Sequence, residues 1–137
     1  MALFTAHQVA DHWVQTSYQA ARKGLPGWVG RWNCLKHVTT YSLTGLLALA
    51  ALVAVTGWRP GVGALVAGLA VSAVTHYVAD RRTPLHVLAR WCRSTEFWNL
   101  GVPQRPGDKP CLGTGAYALD QSFHYAWLFV ATLIIAS

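Results

Sequence analysis

Two long stretches without a charged side chain constrain this protein more than any other feature of its sequence. Residues 38–57 and 61–79 contain no Asp, Glu, Lys or Arg, and His76 is the most polar residue of the second stretch. A helix needs about 20 predominantly apolar residues to cross the hydrocarbon core of a bilayer. The short break Trp58-Arg59-Pro60 between the two stretches predicts that they form an antiparallel helical hairpin.

Two further segments complete a predicted helical bundle. Residues 116–137 end in a long apolar tail, and residues 2–23 are long enough to span a bilayer but are more polar. Charged residues make up 12% of the chain, about half of the roughly 25% that is usual in soluble proteins. We therefore predict an all-α integral membrane protein, a single domain over residues 1–137 with about four transmembrane helices at residues 2–23, 38–57, 61–80 and 116–137.

The connection after the third predicted span indicates an amphipathic surface helix. Thr83 and Pro84 form a helix start signal, and apolar residues recur at helical spacing from Leu85 to Trp91. This pattern predicts a helix lying on the membrane surface over about residues 84–98. Several prolines and glycines between residues 99 and 115 then predict a loop.

All the Lys and Arg residues except Arg59 lie in two stretches, residues 22–36 and 81–109, that flank the predicted spans. The positive-inside rule explains the net charge of +6 better than nucleic-acid binding does, since no nucleic-acid recognition motif is present. The rule places both basic stretches on the cytoplasmic side and both termini outside. The lipid bilayer is thus the predicted partner, no nucleic acid is expected, and the sequence leaves the oligomeric state open.

Histidines and aspartates are paired at a spacing that chance does not explain. Of the five acidic residues, three stand four positions from a histidine, in the pairs His7–Asp11, His76–Asp80 and Asp120–His124. If the histidines and acidic residues were placed at random along the chain, about 0.4 pairs at this spacing would be expected. On a helix this spacing puts both side chains on one face. His37, at the start of the second span, supplies a fourth imidazole.

These groups predict a metal site in the cytoplasmic half of the bundle. The predicted ligands are His7, Asp11, His37, His76, Asp80, Asp120 and His124. Imidazole and carboxylate ligands favour zinc, with manganese or iron as alternatives, and seven groups leave room for one or two ions. Asp80 or Asp120 would serve as ligand or general base. The predicted substrate-binding residues are Gln15, Gln121, Arg22, Arg81 and Arg82, whereas His12 and His86 are interpreted as interfacial.

Other readings of the same residues stay open at this point. Polar groups inside a membrane can hold helices together, and a buried Asp beside a His can form a structural ion pair or part of a proton relay. Such readings predict that the pairs face different directions. A metal site instead predicts that they converge on one polar pocket.

The order of these motifs resembles a family of unknown function found in small bacterial and phage membrane proteins. The runs that carry the resemblance are AHQVADHWVQ, KHVTTY, THYVAD and LDQSFH. They match a pattern of H-x-x-x-D-x-x-x-Q, then a His, then H-x-x-x-D, then D-Q-x-x-H. More loosely, the chain looks like the membrane-bound metal-dependent hydrolases, which are distantly similar to phospholipase C. The resemblance implies a place in the bacterial inner membrane and carries site roles onto the matching positions, Gln15 and Gln121 included.

The sequence therefore supports two classes of function. The first is a membrane-embedded metal-dependent hydrolase that acts on a lipid or lipid-linked phosphoester from the cytoplasmic leaflet. The alternative is a non-enzymatic membrane protein, either an ion or proton carrier or a phage or plasmid interaction protein, with a structural metal or polar cluster. A carrier would need polar groups along the full membrane depth, whereas the outer halves of the last three predicted spans are apolar.

Overall fold

The described part of the chain, residues 1–103 and 113–137 of a computed structural model, is helical and contains no strand. The helices are α1 (Ala2–Val9), continued by a π-helical turn (Ala10–Val14), α2 (Ser17–Arg22), α3 (Gly27–Thr56), α4 (Val62–Asp80), α5 (Thr83–Trp91), α6 (Thr95–Trp98) and α7 (Gly115–Ala136). The predicted all-α class is confirmed. Most of the loop predicted over residues 99–115 lies outside the described residues.

Among the described residues, three helices, α3, α4 and α7, are long and apolar enough to cross a membrane. Helices α4 and α7 begin and end close to the predicted bounds. Helix α3 begins at Gly27 rather than at Val38, because Arg31 and Lys36 are compatible with a helix even where they are unfavourable in lipid. It ends at Thr56, and the next residue, Gly57, has a left-handed φ of 69°, a common way to end a helix. His37 therefore lies well inside α3.

The first segment differs from the continuous helix predicted over residues 2–23. The amide of Gln15 donates to the carbonyl of Ala10 in a π-helical turn, and Gln15 itself is extended. A new helix, α2, then begins at a capping box: the Thr16 hydroxyl accepts from the Gln19 amide, and the Gln19 side chain accepts from the Thr16 amide. Because this reciprocal cap is a strong helix start signal, the segment divides into α1 and α2.

The predicted surface helix over residues 84–98 is also divided. Helix α5 ends at Trp91, and α6 is a single turn that begins at Thr95. Between them Arg93 has a φ of 55°, a conformation that interrupts helical geometry. Leu85 and Ala89 of α5 are buried while His86 and Arg90 are exposed, so α5 is amphipathic as predicted. Trp91, which the pattern placed on the apolar face, is exposed.

Helix α4 packs between α3 and α7, antiparallel to both. Towards α3, the Cys34 thiol lies 3.7 Å from the Tyr77 carbonyl and the Tyr41 hydroxyl lies 2.6 Å from the Ser72 hydroxyl. Towards α7, Gly68 faces Ile135, and α1 packs on α3 and α7. The apolar end of the bundle is a core cluster of Leu3, Leu49, Leu128, Ala131 and Ile135, together with Tyr41 and Ala10 beside it. This packing leaves the His–Asp pairs at the opposite end.

Candidate metal centre

Four side chains from three helical segments meet at the polar end of the bundle. They are Asp11 from the π-helical turn, His37 from α3, and His76 and Asp80 from α4, called here the tetrahedral group because a tetrahedral zinc ion takes four ligands. The Nε2 atoms of His37 and His76 are 3.0 Å apart. The Oδ1 atom of Asp11 lies 3.3 and 3.5 Å from these two nitrogens, and the Oδ2 atom of Asp80 lies 3.4 and 3.3 Å from them.

These five separations are five of the six distances between the four donor atoms. Ligand atoms bound at about 2.0–2.2 Å around a tetrahedral ion lie about 3.3–3.6 Å apart, and the five separations of 3.0 to 3.5 Å are close to that range. Zinc binds histidine nitrogen at about 2.0–2.1 Å and carboxylate oxygen at about 2.0–2.2 Å. The tetrahedral group therefore has the chemistry and the spacing to hold a metal ion.

The electrostatics of the tetrahedral group favour a cation at its centre. The side chains of Asp11 and Asp80 are only 8% and 2% exposed. The oxygens that face the histidines, Asp11 Oδ1 and Asp80 Oδ2, have no hydrogen-bond donor among the described residues. Burying a charge is costly unless it is paired. A cation bound between these oxygens and the two imidazoles would pair both carboxylates at once.

His7 and His124 stack beside the tetrahedral group, with ring centroids 4.9 Å apart. The Oε1 atom of Gln121 is an amide oxygen and can only accept hydrogen bonds. It accepts from the Tyr125 hydroxyl at 3.1 Å and from Nε2 of the neutral His7 ring at 3.3 Å. The bare Nδ1 of His7 then lies 3.7 Å from Asp11 Oδ2. Two acceptors that face each other are unfavourable unless a cation or proton lies between them.

His124 is held in a similar way by its own helix. Its Nδ1 donates to the Asp120 carbonyl at 2.8 Å, and its buried Nε2 has no hydrogen-bond partner among the described residues. This bond fixes the tautomer in which Nε2 carries a free lone pair. Two further ligand sets, His7–Asp11–His76 and Asp80–Asp120–His124, each offer atoms within 4.8 Å of one another. All seven predicted ligands therefore lie in overlapping groups around one place.

A cavity of about 500 Å³ opens directly beside these groups. Asp11, Asp80 and Asp120 line it, and Asp120, with 27% of its side chain exposed, is the most accessible of the three. The remaining lining residues are His12, Gln15, Ala20, Lys23, Arg82, Leu85, Trp98, Thr114, Ala116, Tyr117 and Gln121. The cavity thus joins carboxylates, two basic side chains and an apolar wall.

The predicted substrate-binding residues divide into two sets. Gln15, Gln121 and Arg82 line the cavity. Arg22 instead lies over the ring of Tyr18, 3.8 Å from its centroid. Arg81 donates to the carbonyl of Leu25 at 2.6 Å and to that of Lys23. Arg22 and Arg81 therefore have structural contacts and do not line this cavity.

Sequence reasoning missed Lys23, whose ammonium lies 2.7 Å from Asp80 Oδ1. Lys23 follows α2 in the turn that leads into α3, where no helical periodicity marks a residue as functional. Sequence reasoning also missed the buried hydroxyl pair Tyr41–Ser72, although Ser72 stands four positions before His76 on α4. The only available signal for Lys23 was that it is a basic residue beside a predicted site.

The two histidines interpreted as interfacial lie apart from the tetrahedral group. His12 lines the edge of the cavity, but its Nδ1 lies 2.9 Å from the Gln8 carbonyl and its Nε2 lies 3.1 Å from the Tyr117 hydroxyl. His86 is exposed on α5 and packs against Trp98. Neither belongs to a potential ligand set among the described residues.

Comparisons with known proteins give a family without a known activity. A search of curated proteins and a search of solved structures each found no match to this sequence. The profile of one protein family matches residues 1–137. The chain therefore belongs, over its whole length, to the family described as "Protein of unknown function (DUF3307)".

Proposed function

We propose that this protein is a membrane-embedded metal-dependent hydrolase that acts on a lipid or lipid-linked phosphoester. The observation that carries the proposal is the tetrahedral group beside a cavity of about 500 Å³. Zinc is the proposed ion, because imidazole nitrogens and carboxylate oxygens are both zinc ligands and the tetrahedral group offers two of each. Manganese and iron are the alternatives, and the metal content of protein purified without chelator distinguishes the three.

The cavity favours a catalytic role for the ion over a purely structural one. Structural zinc sites are closed, whereas catalytic sites keep access for water or substrate, and zinc can expand to five ligands in the transition state. Here Asp11 and Asp80 belong both to the tetrahedral group and to the cavity wall. A bound ion would lower the pKa of an incoming water and so supply hydroxide near neutral pH.

Asp120 is the proposed general base. It lies outside the tetrahedral group, lines the cavity and is the most exposed of the three carboxylates. Gln121 donates to Asp120 Oδ2 at 3.3 Å, which orients the carboxylate. A base must lie within hydrogen-bond reach of the proton that it removes, and the cavity leaves room for a water between Asp120 and the tetrahedral group. Asp80 is assigned as a ligand.

The walls of the cavity favour an amphiphilic anionic substrate. Lys23 and Arg82 offer two positive charges, which suit a phosphate group. Leu85, Trp98 and Ala116 provide an apolar wall beside these charges. A phosphoester with an apolar portion would bind both features at once, and lipids have this chemistry.

We further propose a place in the bacterial inner membrane, with the basic stretches on the cytoplasmic side and both termini outside. Helices α3, α4 and α7 would cross the bilayer, and α1 would enter as a shorter fourth segment. Met1 and Ala2 lie beside Leu52 and Trp58, near the far end of α3, which supports this position for α1. The positive-inside rule supports the orientation.

The alternative of an ion or proton carrier has less support. A carrier needs a polar path along the membrane depth. The apolar end, with Leu49, Leu128 and Ile135 buried in contact, lies on the expected route from the tetrahedral group to the other side. The cavity therefore opens towards one end of the bundle.

The proposed function is tested by metal content and by hydrolysis. Protein purified in detergent without chelator is expected to contain zinc, manganese or iron. It is also expected to release phosphate or para-nitrophenol from at least one of three substrates: para-nitrophenyl phosphate, its bis ester, or phosphatidic acid in mixed micelles.

Asp120→Asn should keep the ion and lose about a hundredfold or more in rate, the usual contribution of a general base. Glu96→Gln, in α6, is the matched control and should keep both. Absence of a bound ion, or full activity in Asp120→Asn, would contradict the proposal.

A further inference from the structure

Lys23 brings a fixed positive charge into the metal centre. Its ammonium lies 2.7 Å from Asp80 Oδ1, and its side chain is only 12% exposed. A lysine is rarely buried to this degree unless it is paired. The contact is therefore part of the centre and differs from a surface ion pair.

The backbone around Lys23 is fixed against two helices. Arg81, at the end of α4, donates to the Leu25 carbonyl at 2.6 Å and to the Lys23 carbonyl. A Cβ atom added to Gly30 of α3 would lie 1.8 Å from the Leu25 carbonyl oxygen. This turn therefore rests directly on α3, and the absence of a side chain at Gly30 allows the contact. The turn delivers the Lys23 ammonium to a defined place.

Asp80 has a different partner at each of its two oxygens. Oδ2 faces His37 and His76, while Oδ1 faces Lys23. In centres with two metal ions, the ions lie about 3.5–4 Å apart and stabilise both oxygens of a displacement. A carboxylate shared between two such ions would offer one oxygen to each. Asp80, together with Asp120 and His124, could form part of a second ligand set, but Lys23 already pairs with the oxygen that a second ion would need.

The charges of the centre balance with a single divalent ion. Asp11, Asp80 and Asp120 carry three negative charges when ionised, and histidine is neutral when it binds a metal. One divalent ion and the Lys23 ammonium together supply three positive charges. A second divalent ion would leave an excess of positive charge in a largely buried place, which is unfavourable.

We propose that the centre binds one divalent ion in the tetrahedral group and that the Lys23 ammonium takes the place of a second ion at Asp80. This inference rests on the proposed function only for the presence of the first ion. Because Lys23 also lines the cavity, its ammonium is placed to contact an anionic substrate group where a second ion would otherwise do so. The centre is thus a one-metal site with a lysine in the second position.

The test counts zinc ions in four proteins purified in detergent: wild type, Lys23→Met, Asp120→Asn and the double variant. Zinc titration followed by gel filtration and elemental analysis is expected to give one ion in the wild type and one in Asp120→Asn. Lys23→Met should bind a second ion, at least about tenfold more tightly than the wild type does, because a nearby positive charge is removed. The double variant should lose that second ion. Lys36→Met is the matched control, since Lys36 lies over the Trp32 ring, and it should bind one.

Each result separates this inference from the proposed function. Two tightly bound ions in the wild type would overturn the inference and leave the hydrolase proposal intact. A Lys23→Met variant that binds only one ion would also overturn the inference. No ion in any protein would overturn both. If Lys23→Met does not fold, the wild type and Asp120→Asn still decide: a lower ion count in Asp120→Asn would show that Asp120 holds an ion in the native centre.

Discussion

The two ends of the same helices are held together by different means. At the apolar end, Gly68 of α4 faces Ile135 and Ala131 of α7 without a side chain between them. At the polar end, His76 and Asp80 of α4 face groups from α1 and α3. One ridge of α4 connects the two ends. It consists of residues four positions apart: Gly68, Ser72, His76 and Asp80.

In the proposed membrane placement, this difference shows how a helical bundle can make a precise polar site. Apolar helix surfaces gain no hydrophobic stabilisation from each other in lipid, so close packing of small residues provides much of the attraction. The apolar end supplies that close approach through packing contacts that have no preferred direction. The polar end depends on direction as well, because each buried charge needs a partner in the right place. Close packing at one end therefore fixes the spacing of the ligands at the other.

The largest expected effect is at the polar end. His76 belongs to the tetrahedral group and to a second ligand set, so His76→Ala should lose most bound metal and most metal-dependent stability. An ion present at a hundredfold excess over its dissociation constant stabilises the folded state by about 2.7 kcal/mol. The measurements are elemental analysis and the melting temperature with zinc and with a chelator. His86→Ala is the control and should match the wild type, and equal metal content in His76→Ala would contradict the site.

The second effect is at the apolar end. A Cβ atom at Gly68 would lie 2.3 Å from Ile135 Cγ1 and 2.8 Å from the Ala131 carbonyl oxygen. Gly68→Ala should therefore force α4 and α7 apart and destabilise the fold by about 1–3 kcal/mol, as overpacking does. Zinc affinity should fall as well, because the ligands share the same ridge.

Gly63, on the same helix, provides the control for this packing argument. An added Cβ atom there would have no neighbour within 4 Å. Gly63→Ala should leave stability unchanged or raise it by up to about 1 kcal/mol, through helix propensity alone. Denaturation of both variants in the same detergent measures the difference. Equal stability of the two variants would show that close approach of α4 and α7 is not required.

A smaller effect is expected where the two ends meet. The Tyr41 and Ser72 hydroxyls are buried and 2.6 Å apart. Tyr41→Phe should destabilise the protein by about 0.6–1.7 kcal/mol, the range of measured polar contacts between membrane helices, with metal content unchanged. Ser72→Ala in the same background should add little, since the pair is already broken. A full second loss would show that the two hydroxyls act independently.

The smallest effect is expected at His12, on the cavity edge. Both of its ring nitrogens already have partners, the Gln8 carbonyl and the Tyr117 hydroxyl. His12→Ala should leave metal content unchanged and stability within about 0.5 kcal/mol, as is usual for exposed positions. Loss of metal in this variant would extend the ligand set to His12 and weaken the distinction between cavity edge and metal centre.

Much of this arrangement follows from local patterns in the sequence. The apolar stretches predict α4, α7 and most of α3, because length and apolar composition alone decide whether a helix can span. The spacing of four predicts that each His faces the same side as its Asp. The division of the first segment is also local, since Thr16 and Gln19 form a recognisable cap, but the apolar length of the segment favoured a continuous helix.

The composition of the tetrahedral group could not be predicted in the same way. Whether Asp11 joins His37 and His76, or joins His124, depends on how far α1 slides along α3, and no periodicity encodes that distance. Lys23 enters through a turn whose position is set by Arg81 and Gly30. Such contacts are long-range, so a single sequence shows the participants without showing which of them meet.

The apolar end has an electrical consequence in the proposed membrane placement. A transmembrane voltage falls mainly across the region that excludes water, which here is the layer around Leu49, Leu128 and Ile135. Moving a unit charge through the whole field at about 100 mV involves about 2.3 kcal/mol. An ion that enters from the cavity would cross only a small part of that field. Metal loading should therefore follow the ion concentration of one compartment and be nearly independent of the membrane potential.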